Sequence, residues 1–505
     1  MRNMNKFISN GLIMTATSLL LRYAGIIFNT YISASIGAEG MGVYGLVQSV
    51  FGFAVTFACS GVNFGTVRVV SEALATDNRQ GAIKAVKYAV LYALFFSSVA
   101  FSGLFFGAEY IGSHILGDAR TVFSIRILGI SLPFISVSSV FNGYFSALRT
   151  SYKNSVVSII EQMFQIFITV NFLSYFSIKG LEYSCAAIAL GVVSSEILSL
   201  TVNYFMYLNE YKKAKKQSAE ENRENIFGKL TSISLPLALS AYARSGLLTV
   251  EHLLIPRGLR RFGESVSSSL ATYGLINGMV FPIIMFPSCI VYSFSSLLVP
   301  ELARYRELGK TEKIDSAVSK VIKYALTFSV GVAGILICFS YELSYVIYKT
   351  EKAYEYLWLF APLVTVMYLD AAVDGILKGL NEQLFSMKIN IADALMSVVL
   401  VYILVPIYGV RGYVLTVFVC EIFNCCMSLV RLVNICKPQI SVFGCVVKPL
   451  SAIIFSTFSV TFLFDVLCVT KFCSPINLSL RITCISVIYL IINMFGSKKH
   501  PSFCV

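Results

Sequence analysis

The sequence predicts an all-α polytopic membrane protein of about fourteen transmembrane helices. Composition gives the first indication. Of 505 residues, 56% are hydrophobic and only 13% are charged, against about 25% charged in an ordinary soluble domain. The second is spacing: apolar runs of about 20 residues recur along the chain, each long enough to cross a hydrocarbon core of roughly 30 Å. The third is that the alternating ten-residue pattern of an outer-membrane barrel is missing. Backbone groups in hydrocarbon must be satisfied within the protein, so the runs are read as helices.

The first six spans fall at about 11–34, 43–66, 85–108, 122–147, 154–176 and 183–208. The next six fall at 231–255, 268–298, 318–341, 355–378, 384–406 and 412–434, and two more at 445–468 and 476–495. The first apolar stretch, Gly11–Ala34, is too long for a signal peptide, lacks a small-residue cleavage site and contains Arg22, so it reads as a retained helix. Pro282 and Pro287 interrupt the eighth span and predict a kink there. The largest hydrophilic stretch, Asn209–Lys229, contains Lys212, Lys213, Lys215, Lys216 and Arg223 and reads as a basic linker facing lipid head groups. The expected organisation is a six-helix lobe at 1–208, a linker at 209–230, a second six-helix lobe at 231–434, and two appended helices with a short tail at 435–505.

The two lobes repeat one another. Tyr44-Gly45-Leu46 recurs as Tyr273-Gly274-Leu275, Glu72 as Glu301 and Pro133 as Pro362, each 229 positions later. Asn142-Gly143 matches Asp374-Gly375 and Glu161 matches Asp393, both 232 apart, and Lys87-Tyr88-Ala89 matches Lys323-Tyr324-Ala325 after a gap. Six helices is an even number, so the copies point the same way. Parallel repeats of this kind are related by an axis along the membrane normal, with the substrate site at their interface.

With the N-terminus placed inside, 27 of the 40 Lys and Arg lie on the cytoplasmic side and 11 outside, counting span-end charges with the nearer face. This positive-inside bias puts both termini and the linker in the cytoplasm of a multi-pass cell-membrane protein. Arg257, Arg260 and Arg261 run against the bias. The net charge of +13 follows from this distribution and does not point to nucleic acid. Thirteen scattered cysteines without a CxxC pair, and only three histidines, argue against a metal centre and read as small buried apolar residues.

Two charges remain within the spans. Arg22 sits inside the first span and Arg244 inside Thr231–Ile255, the first span of the second copy. An arginine at the centre of a membrane helix costs about 3 kcal/mol even on the lenient insertion scale, so each is expected to face a protein interior or watery cavity and hold an anion. Arginine suits phosphate because its fork donates two parallel hydrogen bonds and keeps its charge. Gly25, one turn from Arg22, lets a ligand or a helix approach closely, and Arg244 is followed by Gly246. The bland alternative pairs each arginine with a buried acid such as Glu161 or Glu251.

Intramembrane acids form the second constellation: Glu161, Glu196, Glu251, Asp370, Asp374, Asp393, Glu421 and Asp465. Glu196 and Glu421 occupy matching places in the sixth and twelfth spans. Such carboxyls either couple transport to Na+ or H+ or act as counter-ions for the arginines. His252, beside Glu251, is a weaker proton-relay candidate. No P-loop, no GxSxG elbow and no sizeable extramembrane domain is present, so the chain is not read as an enzyme and no bound cofactor is expected.

The run Arg22-Tyr23-Ala24-Gly25, followed by Gly37-Ala38-Glu39-Gly40-Met41-Gly42-Val43-Tyr44-Gly45, resembles the polysaccharide-transporter branch of a flippase superfamily that also contains multidrug extruders. Ile255-Pro256-Arg257-Gly258-Leu259, the Tyr273-Gly274-Leu275 repeat and Pro300-Glu301 look most like the stage V sporulation protein B group, and the resemblance covers about 1–495. It implies two six-helix bundles forming a V, plus two appended helices, opening alternately to either side. It also implies a lipid-linked anionic saccharide as substrate, plausible as a peptidoglycan precursor for spore cortex. Related lipid II flippases carry two arginines in the first helix. Arg22 matches the first, whereas Phe28 stands at the second place and is followed by Asn29.

The sequence therefore reads as a flippase moving an undecaprenyl-pyrophosphate-linked saccharide, with Arg22, Arg244, Gly25 and Asn29 as substrate contacts and membrane lipids as its surroundings. Glu161, Glu251, Asp393, Glu196 and Glu421 are the candidates for ion coupling or for counter-ions. Rival readings are an ion-coupled multidrug antiporter of the same fold and a non-transporting scaffold for cell-wall synthases. The charge bias predicts that a cysteine at Ser218, in a chain stripped of native cysteines, resists an impermeant thiol reagent applied to intact cells. Labelling from outside reverses the orientation.

Overall fold

The structure, a computed structural model, describes residues 2–75, 78–150, 152–214, 226–438, 441, 443–466 and 475–495. The centre of the basic linker (215–225, with Lys215, Lys216 and Arg223), the tail from 496 and the side chain of Asp465 lie outside the described residues. In chain order the helices are α1 (Arg2–Cys59), α2 (Val62–Ala75), α3 (Arg79–Tyr110), α4 (Val122–Ala147), α5 (Tyr152–Phe176), α6 (Leu181–Ala214), α7 (Ile226–Phe262), α8 (Val266–Tyr273) and α9 (Phe281–Met285). They continue as α10 (Ser288–Glu307), α11 (Thr311–Cys338), α12 (Ser340–Tyr348), α13 (Tyr354–Phe360), α14 (Val364–Gly379), α15 (Gln383–Tyr408), α16 (Val410–Ile435), α17 (Lys448–Val466) and α18 (Pro475–Phe495). The described residues contain no strand.

Thirteen helical stretches among the described residues are long and apolar enough to cross a membrane. The first, Thr17–Ala75, breaks at Gly37, whose φ of 69° and ψ of −176° leave the helical region. Nothing lies within 4 Å of the place a Cβ would take there, so the glycine serves the backbone turn and not close packing. Dividing that stretch at Gly37 yields fourteen legs, the number the hydropathy pattern predicts. The kink predicted in the eighth span is also present. The chain runs α8, a π-helical stretch Gly274–Val280, α9, a break at Phe286–Pro287, and then α10.

The chain divides into two compact units. Unit 1 comprises Met1–Phe28, Ser35–Arg257 and Val266–Ala271; unit 2 comprises Asn29–Ala34, Gly258–Ser265 and Thr272–Val505. Most of α7 thus groups with the first six spans, although the sequence reading opens the second lobe with it. The reason is its packing against α1 and α2. Thr249 donates to the Ser49 carbonyl (3.0 Å), Thr56 reaches Ser245 (3.3 Å) and Ser60 bonds the Tyr242 hydroxyl. Within unit 1 an aromatic seam of Phe141, Tyr144 and Tyr207 joins α4 to α6, with ring centroids 5.1–5.2 Å apart. Within unit 2, α17 and α18 pack on α11, and the Tyr489 hydroxyl donates to the Thr327 carbonyl.

The sequence repeat is also a geometric one. In unit 1 a Cβ on Gly143 of α4 would stand 3.1 Å from Thr66 Cβ of α2. In unit 2 a Cβ on Gly375 of α14 would stand 2.6 Å from Ser295 Cβ of α10. Thr66 and Ser295 are themselves 229 positions apart, so the same close helix crossing is built twice.

Gly42 makes one of the tightest glycine contacts in unit 1, and its neighbour is backbone: a Cβ there would overlap the Leu270 carbonyl oxygen of α8. Backbone cannot rotate away as a side chain can. Gly42→Val is expected to destabilise the protein by about 1–3 kcal/mol, the usual penalty of overpacking, read as a lowered melting temperature in detergent. Gly37→Ala strains φ without a clash and is expected to lower it less.

Candidate functional site

Arg22 lies on the first leg of α1 with its side chain exposed. One helix face of that leg leans on α5. Gln162 donates to the Leu21 carbonyl at 2.9 Å, and a Cβ on Gly25 would meet Gln162 Nε2 at 3.5 Å. Gly25 therefore faces a neighbouring helix, at ordinary contact distance. Arg244, on α7, is likewise exposed, and the neighbouring Gly246 abuts the Phe53 ring at 3.5 Å. Both arginines belong to unit 1. Asn29 falls in unit 2, where its amide donates to the Gly278 carbonyl (2.8 Å) and to the Tyr348 hydroxyl (3.3 Å). Glu251 is half-buried on α7.

The acids converge in two groups, one per unit. In unit 1 Glu161 of α5 and Glu196 of α6 face each other closely enough to repel, Ser199 bonds Glu161, and the Cys59 thiol lies close to Glu196. In unit 2 Asp370 and Asp374 of α14 and Asp393 of α15 interact, and Ser428 of α16 bonds Asp370. Lys378 pairs with Asp374 at 2.6 Å, and Ser386 also donates to that carboxylate. Glu421 adds a fourth acid next to the Cys425 thiol, which Asp370 also approaches. Lys378 and Ser386 were not found from sequence. Their counterparts 232 positions earlier are Ser146 and Asn154, whose own contact (3.1 Å) repeats the arrangement without charge.

A second polar group absent from the sequence reading sits where α3 gives way to α4. Arg120 donates to both carboxylate oxygens of Asp118 (2.7–3.1 Å) and to Glu39 at 2.9 Å. Ser267 donates to the other Glu39 oxygen at 2.6 Å, and Arg257 donates to the carbonyls of His114 (3.1 Å) and Ile115. Asp118 and Arg120 stand in the short connection before α4, and Glu39, Arg257 and Ser267 lie near turns or helix ends, where single charges give no periodic signal. The network ties the Gly37 turn to the start of α8 within unit 1.

Unit 2 also carries a half-open pocket of about 510 Å³. Its walls are almost wholly apolar: Val291 and Phe294 of α10, Phe328 and Val332 of α11, Ile453 of α17 and Leu490 of α18. Lys448, whose ammonium donates to the Asn493 carbonyl at 2.8 Å, lies near Lys323 at one end of these helices.

Buried acids in repeated bundles, cationic membrane helices and an apolar chamber define a polytopic transporter fold. A family model for polysaccharide biosynthesis proteins matches residues 7–305, and a MatE model matches residues 262–403. The chain belongs to the polysaccharide biosynthesis protein family, the polysaccharide-flippase branch of the MOP superfamily. It is 26% identical to Stage V sporulation protein B of Bacillus subtilis (strain 168) over 419 residues, 81% of this chain and 80% of that protein. Sporulation protein YkvU of the same organism is 18% identical over 377 residues, covering 74% and 83%. Among solved structures, the lipid II flippase MurJ in an inward closed conformation superposes with a TM-score of 0.68 at 14% identity, over 96% of this chain and 98% of that one. An inward-facing multidrug resistance MATE family transporter gives 0.66 at 14%, over 83% and 95%. These likenesses agree with the fold expected from the sequence.

The Arg120 network contrasts with Arg68–Glu72, an i,i+4 pair on one helix whose arginine side chain is 67% exposed and whose carboxylate keeps a second cation, Lys229, at 2.8 Å. An exposed i,i+4 pair is worth about 0.3–0.5 kcal/mol. Arg120→Ala leaves Asp118 and Glu39 without their shared cation and is expected to lower the melting temperature by several times the effect of Arg68→Ala. Equal shifts in the two variants refute this ranking.

Proposed function

We propose that the protein moves an undecaprenyl-pyrophosphate-linked saccharide across the cytoplasmic membrane by alternating access, with Arg22 and Arg244 neutralising the pyrophosphate. The candidate cargo is a peptidoglycan precursor such as lipid II or a polysaccharide unit, in keeping with the sporulation relatives and with MurJ. The observation that carries this reading is the charge of the first span. From Thr17 to Ile36, Arg22 is the sole charged residue and its side chain is exposed. A carrier of cationic drugs wants acid there, and a scaffold has no use for a charge that is unfavourable in hydrocarbon.

The apolar cavity of unit 2 supports a lipid-linked cargo, because its walls suit an isoprenoid chain and offer little to a sugar. Lys323 and Lys448 lie near one end, where a phosphate belongs. Gly25 shapes the wall beside Arg22 through its contact with Gln162, and Asn29 holds the following turn of the helix. Coupling to Na+ or H+ falls to the half-buried acids: Glu161 with Glu196 in unit 1, and Asp393 with Glu421 in unit 2, with Glu251 a further candidate or a counter-ion. Both termini are placed in the cytoplasm, and cell-wall synthases are natural partners on the outer face.

The MatE match over 262–403 favours one second reading, ion-coupled extrusion of a cationic compound by the same fold. Mass spectrometry of lipid co-purifying with the protein separates the two, since enrichment of a polyprenyl-pyrophosphate saccharide is expected only for a flippase. Arg22→Ala is expected to abolish complementation of a strain lacking the gene while membrane abundance stays normal. Arg22→Lys is expected to restore part of it, because a point charge does not reproduce bidentate phosphate contact. Full activity of the alanine variant would sink the proposal.

A further inference from the structure

We propose that the interior of unit 1 holds a file of bound water that carries protons between one membrane face and the Glu161–Glu196 pair. This rests on the coupling role proposed for that pair, and it names the proton as the ion that unit 1 handles. The starting observation is a set of buried polar atoms with no hydrogen-bond partner: Ser138 Oγ, Asn142 Oδ1, Asn154 Oδ1, and both Oδ1 and Nδ2 of Asn203. Ser138 is 4% and Asn203 0% exposed. A buried polar atom left unpaired is far more unfavourable than a made hydrogen bond is favourable, so five on neighbouring helices require an occupant.

The four side chains lie on three helices of one bundle, α4, α5 and α6. Asn154 Nδ2 donates to the Asn142 carbonyl at 3.0 Å and to Ser146 Oγ at 3.1 Å, joining α5 to α4. Ser138 lies one turn from Asn142 on α4. Glu196, Ser199 and Asn203 follow at i, i+3 and i+7 on α6, so they share a helix face, and Ser199 bonds Glu161 across to α5. Unit 2 shows what the layer looks like when filled by side chains. Asp370 and Ser428 stand at the places of Ser138 and Asn203, 232 and 225 positions on, and they interact, although Asp370 Oδ1 keeps no partner. Asp374, Lys378 and Ser386 replace Asn142, Ser146 and Asn154 and satisfy one another. Smaller, neutral groups in unit 1 leave the same space without partners.

The atoms identify the occupant. A bare cation satisfies the hydroxyl and carbonyl oxygens but not the Asn203 amide hydrogens, and an anion does the reverse. Water donates and accepts, and two to four polar partners hold it in a buried site. The layer lies between the carboxyl pair and the Lys153–Glu210 ion pair (2.9 Å), which is partly exposed at the end of the bundle that the charge bias assigns to the cytoplasm. From Glu196 to Glu210 along α6 is about 21 Å at 1.5 Å per residue, and polar groups mark the route. The titratable and charged groups around it are Cys59 from α1, Arg79 from α3, Tyr144 from α4, Lys153 from α5, and Tyr204, Tyr207, Glu210 and Tyr211 from α6.

The test uses the full chain reconstituted in membranes, with no substrate. Infrared spectroscopy across pH follows the protonated-carboxyl C=O band, assigned by its loss in Glu161→Gln or Glu196→Gln, and its shift on transfer to D2O gives the exchange rate. Asn203→Leu is expected to keep the band and slow its exchange by roughly tenfold, as loss of a water partner implies. Ser138→Ala is expected to act in the same direction and guards against a folding defect in the first variant. Wild-type exchange in both variants overturns the proposal. So does absence of the band at every pH, or its removal by sodium and not by potassium, which would assign the site to a metal cation. Transport is read separately, so unchanged exchange leaves the flippase reading standing, whereas normal complementation by Glu161→Gln and Glu196→Gln removes the coupling role alone.

Discussion

Everything in this molecule depends on one constraint: a polar atom at bilayer depth has to find its partner inside the protein. The chain meets it by gathering its amides and acids at the same positions of two repeated bundles. Gly143 and Gly375 bring α4 against α2 and α14 against α10, which sets the spacing of the polar layer next to them. Large apolar side chains such as Phe106, Phe205, Ile454 and Phe458 are left to the outside, as hydrocarbon surroundings demand. The helices, the repeat and the sites are consequences of that partition.

The two copies satisfy the constraint differently. In unit 2 the layer is charged, with Asp374 gripped by Lys378 and Ser386 and one Asp370 oxygen left over. In unit 1 the matching places are Asn142, Ser146 and Asn154, which make fewer bonds and leave acceptors over. A charged latch resists hydration because opening it exposes an unpaired ion, whereas a neutral amide layer exchanges protein partners for water at little change in free energy. Duplication followed by this exchange of charge gives two bundles with the same path and different polarity. The appended helices extend the asymmetry, since α17 and α18 wall a half-open apolar pocket in unit 2.

The features legible in the sequence were those with a period. Span number, the proline kink and the repeat all follow from runs and offsets, and the Gly37 break accounts for the difference between thirteen helical stretches and fourteen legs. What stayed hidden depends on contacts between distant residues. Glu161 and Glu196 read as separate acids, yet α5 and α6 bring them face to face. Arg120 before α4, Glu39 beside the Gly37 turn of α1 and Ser267 at the start of α8 have nothing to link them until the chain folds. Gly25 carried an expectation of close approach by a helix or a ligand, and a Cβ there would meet Gln162 of α5, while Asn29 spends its amide hydrogens on Gly278 and Tyr348. The grouping of α7 with the first bundle follows from contacts at Ser49, Ser60 and Ser234, none of which has a sequence signature.

A transporter needs groups whose interactions change between states, because a ligand shifts a conformational equilibrium only through differential affinity. The fixed contacts described here are poor candidates for that. The Gly143 and Gly375 crossings and the Asp374 latch are satisfied as they stand and gain nothing from a cargo. The groups with something to gain are the exposed cation of the first span and the Glu161–Glu196 pair, where burial of two like charges is unfavourable without a proton or a counter-ion. Gln162 stands between them, gripping the Leu21 carbonyl next to Arg22 while adjoining Glu161 in the chain. On the proposed reading, that one side chain mechanically joins the residue that meets the anion to the residue that holds the proton. Both events then act on the first leg of α1.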